Sequence, residues 1–230
     1  MRHLSYIETG RAQPSREMVL RLAEALEVPL RERNALLLAA GFAPLFRHSR
    51  LDTPEMDEAR RAVALILEQQ NPFPAFVVDR YWNILLENEG TKRLLALFPE
   101  CASVLPQNAV RLAFHPRGLR PFIENWEAVA ARLIQRVHRA SVANPSDETM
   151  RVFLDELLAY PDVPNRWRMV DLESPPPPVL TIDYRHHGRT LRLFSTVTTF
   201  GTPQDIALQE LRIECFFPAD EATRIAFATL

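Results

Sequence analysis

The sequence predicts an α+β protein, with a small all-helical head followed by a larger body in which helices cover an antiparallel sheet. Three observations predict it: residues 1–45 show only helical periodicity, short strand-like runs occur near residue 75 and after residue 180, and long amphipathic segments lie between them. At 230 residues with 47% hydrophobic content, the chain can bury one substantial core and a small appendage.

Three short helices are predicted in the head. Gly10 can end the first helix, and the pair Pro14-Ser15 can open the second. A third helix begins after Pro29 and ends at Gly41, which suits a left-handed cap. The apolar positions of the second helix fall on one stripe: Met18, Val19, Leu22, Ala23 and Leu26.

A linker between head and body is predicted where helical periodicity is lost. The run PLFRHSRLDTPEM carries two prolines and no regular apolar pattern. We therefore expect a head at residues 1–45, a linker at 46–56 and a body at 57–230. The first body helix presents Ala62, Leu65 and Ile66 on one face and ends before Asn71.

The body opens with two predicted strands, Ala75–Val78 and Trp82–Leu86, joined by a turn at Asp79-Arg80. Asn88 can cap a helix that runs to about Leu97. Apolar residues at helical spacing then predict two long helices, one over Trp126–Val137 behind Asn125 as its cap and one over Met150–Leu158.

The C-terminal third is predicted to be rich in strands. Leu180–Arg185 and Leu191–Phe200 flank His186-His187-Gly188, which predicts a tight hairpin turn. Gln209–Phe217 alternates, which predicts a strand with one wet face and one covered face. Leu211, Ile213, Cys215 and Phe217 fall on one side of it and Glu210, Arg212 and Glu214 on the other. Two early strands, intervening helices and three later strands are the element order of a PAS-like sensor fold.

The head carries a resemblance to DNA-binding proteins. The string HLSYIETGRAQPSREMVLRLAEALEVPLRERNALLLAAGF resembles the C-terminal part of XRE-type helix-turn-helix regulators, so we expect a partial helix-turn-helix domain. The resemblance implies that Arg2 and Tyr6 face base edges and that Ser5 and Arg11 lie near phosphates, where guanidinium and hydroxyl donors suit DNA. The alternative is a helical cap packed on the rest of the protein.

The body resembles a second family. The runs NPFPAFVVDRYWNILLENEG, VRLAFHPRGLRPFIENWEAVA and LRIECFFPADEAT look like the ligand-binding domain of MmyB-like transcription regulators, over roughly residues 55–230. The resemblance implies a one-component regulator in which a PAS-like domain accepts a small, largely apolar ligand of the fatty-acid class. A homodimer is expected, because helix-turn-helix readers usually match two half-sites.

A cavity between the sheet and its helices is the predicted ligand site, since such cavities are mostly apolar with a few placed polar groups. The apolar candidates for its wall are Phe76, Trp82, Leu133, Phe194 and Leu211. The polar or amphipathic candidates for a ligand head are His115, Trp126 and Arg132. Ordinary core packing is the alternative for each aromatic residue, and a solvated position is the alternative for Arg132, which lies off the apolar stripe of its helix.

Other function classes find little support. The sequence has no HExxH motif, no GxSxG elbow and no Gly-rich phosphate loop, so we expect no catalysis, no metal and no cofactor. No stretch of about eighteen apolar residues occurs, which predicts a cytoplasmic protein without a membrane span. Residues 1–50 hold eight Arg against five Glu, a net charge of +3 that fits a head facing nucleic acid. The alternative function is a stand-alone ligand sensor or protein-interaction module without DNA binding.

Overall fold

A five-stranded antiparallel sheet forms the centre of the body in the computed structural model, which describes residues 6, 7, 9–104, 107–169 and 179–229. The strands are β1 (Ala75–Val78), β2 (Ile84–Glu87), β3 (Thr181–His186), β4 (Arg189–Thr198) and β5 (Arg212–Pro218). The helices within these ranges are α1 (Arg16–Ala25), α2 (Leu30–Ala39), α3 (Asp57–Gln69), α4 (Glu89–Ala96), α5 (Ala109–Phe114), α6 (Trp126–Ala143), α7 (Glu148–Ala159), α8 (Ile206–Glu210) and α9 (Glu221–Thr229). The predicted mixture of helices and an antiparallel sheet is confirmed.

The sheet has the strand order β2-β1-β5-β4-β3, and every neighbouring pair is antiparallel. The two early strands and the three late strands therefore meet where β1 pairs with β5. The helices α4 to α7 come between them in the chain, which is the PAS-like element order that the sequence predicted. β5 is the middle strand, so it has a neighbour on both edges.

The β3–β4 hairpin has the tight turn predicted for it. His186 pairs with Arg189, which leaves His187 and Gly188 as a two-residue loop. Both residues have positive φ, +46° and +75°. Two successive left-handed residues match the right-handed twist of the flanking strands, and glycine adopts that conformation without steric cost.

Local hydrogen bonds explain where several helices begin and end. The Ser15 side chain accepts from the Met18 amide at 3.2 Å and starts α1, as predicted. Gly41 follows α2 with φ +83°, and Phe42 N–H donates to the Leu37 carbonyl at 2.8 Å, which closes the helix end.

Asn88 connects α4 to β1. Its side-chain oxygen accepts from the amides of Thr91 and Ala75, both at 2.9 Å, so it caps the helix and also fixes the strand. Its amide nitrogen donates to the carbonyls of Leu67 and Phe73. The predicted cap is confirmed, and this buried side chain ties three segments of the body together.

Asn125 and the start of β2 differ from the predictions. α6 begins at Trp126, but Asn125 donates to the Thr181 carbonyl and accepts from the Asp183 amide instead of capping the helix. Trp82 lies in the turn before β2 with φ +63°, so the predicted strand Trp82–Leu86 is shifted to Ile84–Glu87. A tryptophan in the left-handed region cannot continue a strand.

The strand predicted over Gln209–Phe217 begins later in the structure than the prediction has it. Residues 206–210 form the short helix α8, because the Asp205 carboxylate accepts from the Ala207 amide at 2.8 Å and caps it. The strand begins only at Arg212. The prediction of one wet face is also wrong, since Ile213, Glu214, Cys215 and Phe216 are all buried in succession. A central strand covered on both faces loses the water-facing side that alternation implies.

The described contacts divide the chain into two compact units. One holds residues up to Ala62 together with Thr199–Leu211, and we call it the head unit. The other holds Val63–Thr198 and the residues from Arg212 onward, and we call it the sheet unit. No helix in the described part of the chain is long and apolar enough to cross a membrane.

Candidate functional site

A partly enclosed cavity of about 110 Å³ lies inside the sheet unit, between one face of the sheet and the helices α4 to α6. All five strands contribute to its wall, through Phe76, Ile84, Ile182, Tyr184, Ser195, Glu214 and Phe216. The helices contribute Leu94, Leu95, Leu112, Ala113, Val129, Leu133 and Arg136. Most of these side chains are apolar, so the interior favours an apolar occupant.

The strand register explains which side chains reach this cavity. Ser195 pairs with Phe216, and Phe76 pairs with Glu214. Directly paired residues point to the same face of a sheet, and residues one position along point to the opposite face. The cavity face of β5 therefore carries Glu214 and Phe216, whereas Cys215 between them faces the other way.

A charged pair marks the polar end of the cavity. Arg136 Nη2 donates to Glu214 Oε1 at 2.9 Å. The Glu214 side chain is only 7% exposed, whereas that of Arg136 is 29% exposed. Ser195, also on the wall, is exposed. The cavity thus approaches solvent near Ser195 and Arg136, while the carboxylate lies deeper.

Trp82 is held on the cavity wall by a strained turn. Its φ of +63° is unfavourable for a bulky residue, and the Asp79 carboxylate fixes the turn by accepting from the amides of Tyr81 and Asn83. The Trp82 side chain is buried, and its Nε1 has no hydrogen-bond partner among the described residues. An unpaired N–H buried in this way costs about 1–3 kcal/mol, which a suitable acceptor would recover.

The ring of Trp82 is packed on two sides. Its centroid lies 6.2 Å from that of Phe153, in a stacked arrangement. The guanidinium carbon of Arg212 lies 5.3 Å from the ring centroid, within the range of a cation–π contact. These contacts fix the ring, so the unpaired Nε1 has a defined position.

Tyr184 adds a neutral polar group to the wall. Burial raises the pKa of its hydroxyl far above the ordinary value of 10.0, because the phenolate would lose its hydration. The hydroxyl consequently stays protonated over the physiological range. Tyr184 therefore contributes hydrogen-bonding capacity and no charge.

The structure places three of the predicted ligand residues, Phe76, Trp82 and Leu133, on the cavity wall. Phe194 does not line the cavity. It lies on the face of β4 opposite to Ser195, and its ring stacks on that of Phe217 with 5.5 Å between the ring centroids.

The other four predicted residues also lie away from the wall. Leu211 precedes β5, which begins at Arg212, and it is a buried residue of the head unit. His115 follows α5 and its Nδ1 accepts from the Arg117 amide, while Trp126 Nε1 donates to the Ala113 carbonyl at 2.8 Å. Arg132 does not line the cavity, but its Nη1 is buried with no hydrogen-bond partner in the described part of the chain, so the alternative of a solvated position does not hold for this atom.

Sequence reasoning missed Glu214, Arg136 and Ser195. Arg136 lies three positions after Leu133, a helical spacing that places both on one face of α6, so this signal was available. Glu214 was assigned to the water-facing side of its strand. Nothing in its local sequence indicates that this side is covered.

Of the larger depressions among the described residues, the two with mostly apolar walls are more open to solvent and fit the description of a ligand cavity less well. One, of about 570 Å³, lies along β2 and α4, and Glu87 and Lys92 form part of its wall. The other, of about 680 Å³, lies within the head unit between α1 and α2. The cavity behind the sheet is smaller than either, but of these three sites it is the one whose wall combines buried apolar residues with Trp82, a donor that has no partner among the described residues.

Half of the predicted DNA-contacting residues fall within the described ranges. Tyr6 and Arg11 are both exposed, which a contact with DNA requires. Arg2 and Ser5 lie outside the described residues. Contact of any of the four with DNA stays a prediction.

Comparisons with known proteins identify the family. No curated protein matches the chain. Among solved structures, the PAS domain of BvgS from Bordetella pertussis is similar at 16% identity, with 75% of this chain and 95% of that chain covered and a TM-score of 0.32. The fold is shown by the sheet itself, with five antiparallel strands in the order β2-β1-β5-β4-β3. Residues 59–230, more than half of the chain, match the MmyB-like transcription regulator ligand binding domain. The chain therefore belongs to the family of MmyB-like transcription regulators that carry this ligand-binding domain.

Proposed function

We propose that this protein is a one-component transcription regulator, in which a small, largely apolar ligand of the fatty-acid class occupies the cavity and alters DNA binding by the head. The observation that carries the proposal is the apolar cavity walled by all five strands, in a chain of this regulator family. A filled cavity changes the packing of the sheet and its helices. The head responds if two conformations of the protein differ both in their affinity for the ligand and in their ability to bind DNA.

The wall supports a ligand that has an apolar body and an oxygen acceptor. Leu94, Leu112 and Leu133 offer the apolar surface. Trp82 Nε1 is the buried wall donor that lacks a partner among the described residues, whereas Arg136 is already paired with Glu214. The carboxyl group of a fatty acid supplies an acceptor for Trp82, and its chain lies against the leucines.

The size of the cavity has a consequence for how the ligand enters. At about 110 Å³ it is smaller than the roughly 150 Å³ that accommodates benzene and well below the roughly 300 Å³ of a typical ligand pocket. A fatty acid therefore requires α4 to α6 to move away from the sheet. This ligand-dependent expansion is the conformational change that we propose as the signal.

The rest of the proposal concerns the head and the assembly. DNA is the proposed partner of the head, and Tyr6 and Arg11 are two of its contacts. A homodimer is proposed because two half-sites match two recognition helices. A protein with this role acts in the cytoplasm, where its DNA target is. It works by binding alone, without catalysis or a cofactor.

Ligand binding is tested by titration calorimetry with dodecanoate and the full chain. In Leu133→Trp, the added ring fills the cavity from α6, and we expect dodecanoate binding to be lost. Val142→Trp is the matched control, since Val142 lies on the same helix but is exposed, and it should bind like the natural sequence. Equal binding by both variants would show that the ligand does not occupy this cavity.

The alternative, a ligand sensor or interaction module that does not bind DNA, is favoured by one observation. Leu26 and Leu38 of the head unit are 73% and 59% exposed, so the head presents apolar surface suited to a protein partner. Selection of operator fragments from a random DNA pool by the full chain decides between the two. Enrichment of a sequence with twofold symmetry supports the regulator, and no enrichment supports the alternative.

A further inference from the structure

The segment between β4 and β5 belongs to the head unit, although it interrupts the sheet that walls the cavity. β4 ends at Thr198 and β5 begins at Arg212. The intervening residues Thr199–Leu211 group with the N-terminal helices, and they include α8. Ile206 and Leu211 are buried there, so the segment is part of the core of the head unit.

Gln209 completes the N-terminus of α2. Pro29 precedes this helix and provides no side-chain cap. Leu30 N–H donates to Gln209 Oε1 at 2.7 Å, so a residue far along the chain satisfies one of the amides that a helix start leaves unpaired.

An ion pair in the next residues reinforces this contact. Arg31 Nε and Nη2 donate to the two carboxylate oxygens of Glu210 at 2.6 and 2.8 Å. The side chains are 32% and 19% exposed. A bidentate, partly buried arrangement of this kind is stronger and more directional than a surface ion pair.

The start of α8 is fixed to a third point of the head unit. Ile206 N–H donates to the Arg47 carbonyl at 2.9 Å. The Asp205 carboxylate, which caps α8, also accepts from the Ser49 amide at 3.1 Å. Together with Gln209 and Glu210, these contacts form what we call the α8 clamp.

We infer that the α8 clamp transmits the state of the cavity to the head. β4 contributes Ser195 to the cavity wall, and β5 contributes Glu214 and Phe216. A change in the position of these two strands is carried by the covalent chain into Thr199–Leu211, and the clamp passes it to the start of α2. The inference deepens the proposed ligand response, because it names the segment through which that response acts.

Hydrogen exchange of single amides in the full chain tests the inference. The amides of Leu30, Ser49 and Ile206 report the clamp, since each donates to a group on the other side of it. The cavity is perturbed in two ways, by dodecanoate and by Ser195→Leu, which adds an apolar side chain on the cavity face of β4 without any ligand. We expect each perturbation to change these exchange rates at least about fivefold, the lower end of typical allosteric coupling.

The same measurements in Gln209→Ala and Glu210→Gln should show little or no change when the cavity is perturbed. Glu221→Gln is the control, because it removes an ion pair with Arg224 on α9 of the sheet unit and should leave the coupling intact. Equal changes with the clamp broken, or no change with it intact, would overturn the inference. Should Ser195→Leu shift the rates while dodecanoate does not bind, the clamp is supported and the ligand class of the proposed function fails.

Discussion

Removing Arg136 from its ion pair with Glu214 should cost more stability than removing Glu214. Arg136→Met leaves the Glu214 carboxylate, 7% exposed, without its partner in an apolar wall. Removing one partner of a buried pair costs about 3–5 kcal/mol. Because Arg136 itself is 29% exposed, this end of the cavity is not fully buried, so we expect the lower end of that range, a loss of about 3 kcal/mol of unfolding free energy.

The reverse change costs less. Glu214→Gln leaves a guanidinium that can reach water, so we expect a loss of about 1 kcal/mol. The double variant removes both charges together and should also lose about 1 kcal/mol, since matched apolar or neutral replacements are often nearly neutral. The two substitutions are therefore strongly non-additive, with a coupling energy of about 3 kcal/mol.

Urea unfolding followed by tryptophan fluorescence measures the unfolding free energy of the sheet unit, which holds the ion pair. All three tryptophans, Trp82, Trp126 and Trp167, lie in the sheet unit, so the signal reports that unit. Arg224→Met is the control, because its pair with Glu221 is exposed and screened by water, so its loss should change the stability far less than the loss of Arg136. A cost for Arg136→Met no larger than that of the control would refute the assignment of a buried pair on the cavity wall.

Three further predictions follow from the cavity and its surroundings. Across octanoate, decanoate and dodecanoate, affinity should rise about fourfold per methylene as apolar surface is buried, and calorimetry that shows no dependence on chain length would contradict an apolar site. Trp82→Phe should weaken dodecanoate binding about tenfold by removing the unpaired Nε1 donor, and unchanged affinity would exclude Trp82 as the ligand's donor. Burial raises the pKa of Cys101 to about 11, so iodoacetamide at pH 8 should react at least about 100-fold more slowly than with an ordinary thiol. Because the folded pKa lies above the ordinary value of 9.0, the thiol's contribution to stability is complete below about pH 9 and is lost as pH rises through 11, which pH-dependent unfolding checks against Cys101→Ser.

The elements whose signals are local were predictable from the sequence. The roles predicted for Ser15, Asn88 and Gly188 each depend on neighbours within a few residues, and the structure confirms those roles. The order of the five strands and of the helices α4, α6 and α7 was equally accessible, because it follows from the periodicity of each segment in turn.

The side of the sheet that faces the cavity was not predictable from the same signals. The alternation in β5 correctly puts Cys215 and Glu214 on opposite faces of the sheet. It wrongly predicts that the cavity lies on the face of Cys215. The structure has the charged side there, because Glu214 is neutralised by Arg136 from a helix 78 positions away in sequence. Local alternation reports what a face is made of, and only tertiary packing decides what covers it.

The α8 clamp was hidden for a related reason. Gln209 and Glu210 precede the alternating run of β5 without a break, so the sequence predicted them as the start of that strand. Their helix depends on the Asp205 cap and on partners in the head, Leu30 and Arg31, that are 179 positions away. A contact of that sequence separation leaves no local pattern.

A crystal structure of the full chain with dodecanoate tests the central claim most directly. The account predicts the acyl chain between the sheet and α4 to α6, with a carboxyl oxygen within hydrogen-bond distance of Trp82 Nε1 and the cavity enlarged well beyond 110 Å³. An acyl chain seated instead in the open groove along β2, with the enclosed cavity unchanged, would contradict it.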